Sequence, residues 1–301
     1  MPIQKLKQLH DRLTNTVLGS EQPTTLLLTA LLAKGHALIE GAPGIGKTSL
    51  AQALANCFGG DFKRIQFTPD LLPSDILGYH LYRQHTGEFD FIKGPVFSHL
   101  LLADEVNRTS PRVQSALLEA MNEAQVTIDG STHPLSQPFM VIATQNDTSS
   151  TGTFPLPEPQ LDRFLLSIPM SLPNRQVQED IILGKTSISS NNEAFLSADD
   201  VISLQKKASN IQLSDSLSGY IISLCEAVRH LAANEHAVSV RGSLALLHAA
   251  QAYALITESE HVLPDHVQYV FPHVMRHRII SDEGSDPEEI IEQAIQNTPV
   301  A

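Results

Sequence analysis

Asp104 and Glu105, two carboxylates closing the apolar run Leu100-Leu101-Leu102-Ala103, have types and spacing suited to chemistry, and they follow a glycine-rich octamer. That octamer, Gly41-Ala42-Pro43-Gly44-Ile45-Gly46-Lys47-Thr48, fits G-x-x-x-x-G-K-[ST] and continues into Ser49. Glycines in this pattern let backbone N–H groups wrap phosphates at a helix N-terminus. Lys47 is then placed to reach the β and γ phosphates of a nucleoside triphosphate, and Thr48 to ligate Mg2+. Asp104 would hold that ion through water, and Glu105 would polarise a water for in-line attack on the γ-phosphate. Taken singly, the octamer is a glycine-rich turn and the acidic pair a solvated strand end. Their order along the chain favours the joint reading.

Three further residues have meaning only with that set. Asn146 follows the apolar run Phe139-Met140-Val141-Ile142-Ala143-Thr144, where it can orient a water beside the γ-phosphate. By itself an asparagine there is more often a turn former. Arg163 lies in Pro157-Glu158-Pro159-Gln160-Leu161-Asp162-Arg163-Phe164, offering a cation at a sheet edge to a phosphoryl group in cis or across a subunit boundary. In isolation a surface Asp162–Arg163 pair is the simpler reading. Arg241 begins a helix that Ser239 caps, and it is expected to point back at the same nucleotide.

Elements must position these groups. Short apolar strands are expected at 36–40, 64–67, 100–103, 141–144 and 165–168, separated by helical or looped crossovers. That spacing predicts an α/β fold with a mostly parallel sheet flanked by helices. After residue 172 the strand signals stop, and helices are expected at 174–184, 198–209, 214–232, 241–257 and 264–277. The division is thus a nucleotide-binding core over 1–171 and a smaller all-helical lid over 172–301. In the third of these helices Leu217, Tyr220, Ile221, Leu224, Val228 and Leu231 share one face. A last short helix after the acidic, Gly284-containing segment 281–287 is expected to be loosely attached.

Composition narrows the function classes. Twenty Lys and Arg against thirty-three Asp and Glu give a formal charge of -13, which disfavours generic nucleic-acid binding. The two cysteines, Cys57 and Cys225, lie outside any CxxC spacing, as expected in a reducing, cytoplasmic compartment. The apolar stretch 26–33 is too short to span or enter a membrane. His273 and His277 are four apart on a helix, but without HExxH or an evident third ligand they read as a packing or surface pair.

As a set, these motifs resemble the MoxR family of AAA+ ATPases, in the branch that carries a helix-2 insert and a pre-sensor-1 hairpin. The resemblance runs from about 17 to 275, most specifically through RIQFTPDLLPSDILG (64–78), GPVFSHLLLADEVNRTSPRVQSALLEAMNEAQVTIDG (94–130), VIATQN (141–146) and FPLPEPQLDRF (154–164). It implies ATP and ADP as ligands with Mg2+, Lys47 and Thr48 in Walker A, Asp104 and Glu105 in Walker B, and Asn146 as sensor 1. Arg163 looks like an arginine finger acting on the neighbouring subunit's ATP, and Arg241 like sensor 2. Val17, Leu18 and Gly19 resemble the segment lining the adenine pocket. A finger in trans implies a homo-oligomeric ring, a hexamer by the resemblance. The sequence departs from the family pattern at Asp147, at Val240, at Ser20 and in the polar, histidine-containing insert, and none of these removes a catalytic group.

Two hairpins complete the reading, one near 79–92 around His85-Thr86-Gly87 and one near 125–135 turning at Asp129-Gly130. They are either ordinary edge hairpins or, by the resemblance, elements that grip a client. Arg108 and Arg112 are either subunit contacts or solvated surface arginines, and Gln66 is a candidate relay to Glu105. The preferred function is ATP-driven, chaperone-like remodelling, maturation or metal insertion of a protein partner. By the resemblance, that partner is one bearing a von Willebrand factor A domain. A nucleic-acid-remodelling ring and a nucleotide-gated scaffold with little turnover are the alternatives.

Overall fold

The structure is a computed structural model that describes residues 2–145, 153–184, 195–234, 237–279 and 286–300. Two helices, α1 (Pro2–Thr16) and α2 (Glu21–Leu32), precede β1 (Ala37–Glu40), the glycine-rich loop and α3 (Lys47–Cys57). Next come β2 (Phe62–Gln66), a short α4 (Pro73–Leu77), the hairpin β3 (Gly78–Arg83) and β4 (Glu88–Lys93), and β5 (Leu100–Asp104). Helix α5 (Pro111–Glu123) leads into the second hairpin, β6 (Gln125–Ile128) and β7 (Ser131–Pro134). Strand β8 (Met140–Gln145), the single turn α6 (Glu158–Leu161) and β9 (Leu166–Pro169) close the α/β part. The remainder is helical: α7 (Arg175–Ile182), α8 (Ala198–Ser209), α9 (Asp215–Leu231), α10 (Val240–Ile256), α11 (Pro264–Met275) and α12 (Pro287–Asn297).

Five strands form one parallel sheet in the order β2-β5-β8-β1-β9. Its three central strands are apolar up to their C-terminal ends because both faces are covered, and Leu38, Leu101, Ala103, Val141 and Ala143 are all fully buried. The expected strand positions agree to within a residue or two, the usual uncertainty of element ends.

Two apolar clusters cover the sheet. One contains Leu38, Leu101, Val141, Leu117 and Phe164. The other runs from α1 and α2 through Ile39 and Leu102 into Leu224, Leu246 and Phe271 of the helical part. On α9, Leu217, Tyr220, Ile221, Leu224 and Val228 are buried as their spacing predicts, and Leu231 is partly buried. The last helix differs from expectation. Ile290, Ile291 and Ala294 of α12 are buried, so its apolar stripe docks α12 on α9 and α11 instead of leaving it loosely attached.

Both hairpins form as expected, and they lie against each other. Asp129 and Gly130 take φ of 49° and 81°, the two positive values that a tight two-residue turn needs. Phe91 of β4 stacks on His133 of β7 at 4.1 Å between ring centroids. His80 of β3 meets the Asp129 carboxylate at 2.8 Å.

Candidate nucleotide site

A parallel sheet brings the C-terminal ends of its strands to one edge, where crossover topology leaves a crevice. Glu40 of β1, Asp104 of β5 and Gln145 of β8 end there together. The glycine-rich loop leaves β1 and wraps into α3. Gly46 precedes that helix at φ 98°, and a Cβ on Gly41 would lie 2.3 Å from the Met170 carbonyl, so neither position admits a side chain without strain. Lys47 is buried, and its ammonium donates to the carbonyls of Gly41 and, at 3.0 Å, Gln145. This holds it across the mouth between β1 and β8.

The Thr48 hydroxyl donates to Asp104 Oδ2 at 3.1 Å. Asp104, only 5% exposed, also receives the Thr144 hydroxyl on Oδ1 at 2.5 Å and the Arg64 guanidinium on Oδ2 at 2.7 Å. A hydroxyl and a carboxylate side by side are the hard oxygen donors that Mg2+ takes, so the pair expected to hold the ion fits it chemically. Arg64 is the cation that balances Asp104 here. Glu105 sits in the left-handed region at φ 58°, a conformation uncommon for a glutamate. Its N–H donates to Thr144 Oγ1 at 2.9 Å, and its carboxylate pairs with Arg108 at 2.9 Å. Thr144 thus ties the Asp104 carboxylate and the Glu105 backbone N–H to the end of β8. Asn146, the next residue but one, lies outside the described residues.

Beside the loop lies a cavity of about 380 Å³. Val17, Leu18, Gly19, Gly44, Ile45, Gly46 and Ser49 line it on one side, and Met170, Pro173, Gln178 and Ile181 on the other. Its largely apolar lining suits a planar base beside the glycine-rich loop. The hydroxyl of Ser20 turns away to the Val17 carbonyl and Thr24.

Arg163 and Arg241 are at the opposite end of the sheet. Leu166 pairs with Ala37 at the start of β1, whereas Pro169 pairs with Glu40 where the glycine-rich loop begins. Residues 162–164 precede β9, so they are separated from their own loop by the length of that strand, roughly 10–15 Å at about 3.3 Å per residue. Arg163 donates to the Leu118 carbonyl at 2.7 Å. Arg241, half exposed at the start of α10, lies 3.8 Å from Asp162 Oδ2. The expectation that it points back at the same chain's nucleotide therefore needs correction. Ser239 does cap α10, accepting from the Gly242 N–H at 3.1 Å, and the start of α10 faces Asp162 at the wrong edge of the sheet for the same chain's loop.

Sequence reasoning passed over several residues at these places. Thr144 carried one signal, a hydroxyl at the end of an otherwise apolar strand. Arg64 carried none, because its partner is fixed by pairing of β2 with β5. Arg278 is nearly fully buried and donates to Asp162 Oδ1 at 2.8 Å and to the carbonyls of Phe164 and Leu165 at 2.7 and 3.1 Å. Burial pushes its pKa down, and the Asp162 carboxylate opposes that shift. Asp162 is thus engaged by Arg278 and not in the surface pair with Arg163. His273 and His277 are both buried. His277 Nε2 lies 3.0 Å from the Phe164 carbonyl, and burial holds both imidazoles well below the ordinary histidine range, His273 at about 4.

Comparison with known proteins places this geometry. Residues 36–166 match the model of the ATPase family associated with various cellular activities (AAA), and residues 222–296 that of the AAA lid domain. The chain is 44% identical over 287 residues to YeaC of Bacillus subtilis strain 168, covering 95% of this chain and 90% of that protein. It is 40% identical over 295 residues to chaperone MoxR1 of Mycobacterium tuberculosis, covering 93% and 78%. A crystal structure of a candidate ATPase from Cytophaga hutchinsonii superposes with a TM-score of 0.89 at 37% identity, over 100% of this chain and 96% of that one. Given these identities over most of its length, the chain belongs to the MoxR family of AAA+ ATPases.

Proposed function

We propose that this protein hydrolyses ATP to ADP and phosphate in a homo-oligomeric ring of six subunits, with each site completed by Arg163 and Arg241 of a neighbour. The observation that carries the reading is the separation of these arginines from their own glycine-rich loop by the length of β9. Cations that distant cannot neutralise charge on a phosphoryl group held by Lys47 of the same chain, whereas a neighbour's loop can meet them. In the mechanism, the loop N–H groups and Lys47 hold the triphosphate. Thr48 and Asp104 would hold Mg2+, whose chemistry is to neutralise charge on the β and γ oxygens. Glu105, released from Arg108, accepts a proton as a water oxygen bonds to the γ-phosphorus and the bond to the ADP oxygen breaks. Asn146 orients that water. Arg163 must swing from the Leu118 carbonyl to reach the neighbouring γ-phosphate.

The work done with this hydrolysis is remodelling, maturation or metal insertion of a protein client in the cytoplasm. MoxR1 is named a chaperone, and the client, on family resemblance alone, carries a von Willebrand factor A domain. The outer part of the first hairpin supports a protein client over a nucleic acid. Its Arg83 is paired with Asp90 at 2.7 Å, so among the described residues no unpaired basic stripe accompanies the exposed Tyr82 and Phe89, as stacking on a nucleic acid would require. No helix among the described residues is long and apolar enough to cross a membrane.

A mixing experiment tests the shared site. Glu105→Gln subunits keep the arginines and lose the proton acceptor; Arg163→Ala subunits keep the proton acceptor and lose the finger. Each alone should be inactive, and a mixture should regain ATPase activity at the interfaces where the two complement. A mixture as inactive as its components would remove the trans site.

A further inference from the structure

We infer that Asp162 is a positioning residue that fixes Arg163 and Arg241 as one unit, so that both arginines are presented to the neighbouring site together. The inference rests on the shared-site reading above and extends it to a residue that touches no nucleotide. Three groups distant in sequence converge on this carboxylate. Arg278 donates to Oδ1 at 2.8 Å, the Ser239 hydroxyl donates to Oδ2 at 2.9 Å, and Arg241 stands 3.8 Å from the same Oδ2. Ser239 caps α10, Arg241 lies in its first turn, and Arg278 follows the end of α11. Arg163 is the next residue in the chain.

The clamp is built into the fold. Arg278, with its side chain 2% exposed, donates to the carbonyls of Phe164 and Leu165 as well, so it grips the backbone on the far side of Arg163. A buried guanidinium needs a carboxylate to offset its desolvation, and Asp162 provides it. Asp162 therefore cannot leave without unpairing Arg278, and the start of α10 follows wherever Asp162 goes. The segment 162–165 opens β9, which pairs with β1, the strand that feeds the glycine-rich loop. A displacement of the lid as the nucleotide changes would thus move Arg163 and Arg241 in step, through one side chain.

The test uses the same complementation. A Glu105→Gln donor additionally carrying Asp162→Asn is mixed with Arg163→Ala acceptors, and ring assembly is followed by analytical ultracentrifugation. The substitution sits only in the donor, whose own turnover is blocked. Any change in the recovered rate is therefore transmitted across the boundary. The expected result is assembled mixed rings in which kcat falls at least tenfold while the acceptor's KM for ATP is unchanged, because its own pocket is intact. Where Asp162→Asn leaves Arg278 too poorly paired to fold, a Ser239→Ala donor severs only the α10 tether and should lower kcat in the same direction. Full recovery with a folded donor of either kind would overturn the inference, as would loss of assembly in parallel with loss of rate, which makes the residue structural. Absence of recovery in the parent mixture is a distinct outcome that removes the shared site and this inference with it.

Discussion

Acidification should destabilise this protein through His36, and the size of the effect follows from its surroundings. His36 lies just before β1 and is buried. The Val141 N–H donates to its Nδ1 at 2.9 Å, and its Nε2 meets the Met121 carbonyl at 3.2 Å. Those partners define one neutral tautomer, with the proton on Nε2. A second proton on Nδ1 would face the Val141 N–H in a buried site. Burial accordingly lowers the pKa from 6.5 to about 4, opposed in part by the Met121 carbonyl. The folded pKa is depressed for a base, so the unfolded chain binds more protons between these values. Stability is complete above pH 6.5 and is lost as pH falls toward 4. At about pH 5 the difference in proton binding amounts to about 2 kcal/mol for this one residue. His273, also held at about 4 by burial, should contribute a similar amount. Urea denaturation followed by circular dichroism at about pH 7.5 and about pH 5 measures the loss. His36→Gln can keep one acceptor and one donor without a titrating group. It should be less stable at neutral pH, by about 1–3 kcal/mol, and should lose about 2 kcal/mol less than wild type on acidification. Parallel losses in the two proteins would refute the assignment of the pH dependence to His36.

Other consequences follow from the site and the core. Lys47→Ala removes the cation between the Gly41 and Gln145 carbonyls and should weaken binding of a fluorescent ATP analogue by about 100-fold or more, on the order of 3 kcal/mol for charge-assisted contacts to phosphate. Thr144→Val withdraws the hydroxyl that Asp104 and Glu105 share; thermal denaturation should register a loss of about 2 kcal/mol, and kcat should drop at least about tenfold as Glu105 shifts. Leu224→Ala, at a fully buried position on α9, should cost about 2–5 kcal/mol in urea denaturation, while an unchanged KM for ATP in the folded protein would show that the lid core and the loop are separable.

What could be read without coordinates was local. The glycine-rich octamer, the apolar strands with polar ends, the Asp129-Gly130 turn and the apolar face of α9 all declare themselves within a few residues, because backbone conformation and periodic burial are short-range properties. Four of the residues expected at the phosphate end, Lys47, Thr48, Asp104 and Glu105, do converge there, since parallel strands place their C-terminal ends at one edge. The docking of α12 could not be foreseen from its acidic approach, because it depends on the groove that α9 and α11 leave for Ile290 and Ile291. Arg64 and Arg108 found the two acidic partners only because β2 lies beside β5 and because Glu105 turns left-handed.

Arg241 marks the boundary between the two kinds of knowledge. The sequence by itself determined that an arginine opens a helix capped by Ser239, since capping is decided within three residues. That its guanidinium lies beside Asp162 was settled by the packing of distant segments. Asp162 holds the start of α10 at the N-terminal edge of the sheet, and Arg278 anchors Asp162 there. The physical reason is that a side chain's partner depends on which edge of a sheet its segment joins, and that is set by packing between residues more than a hundred positions apart in this chain, such as Asp162 and Arg278.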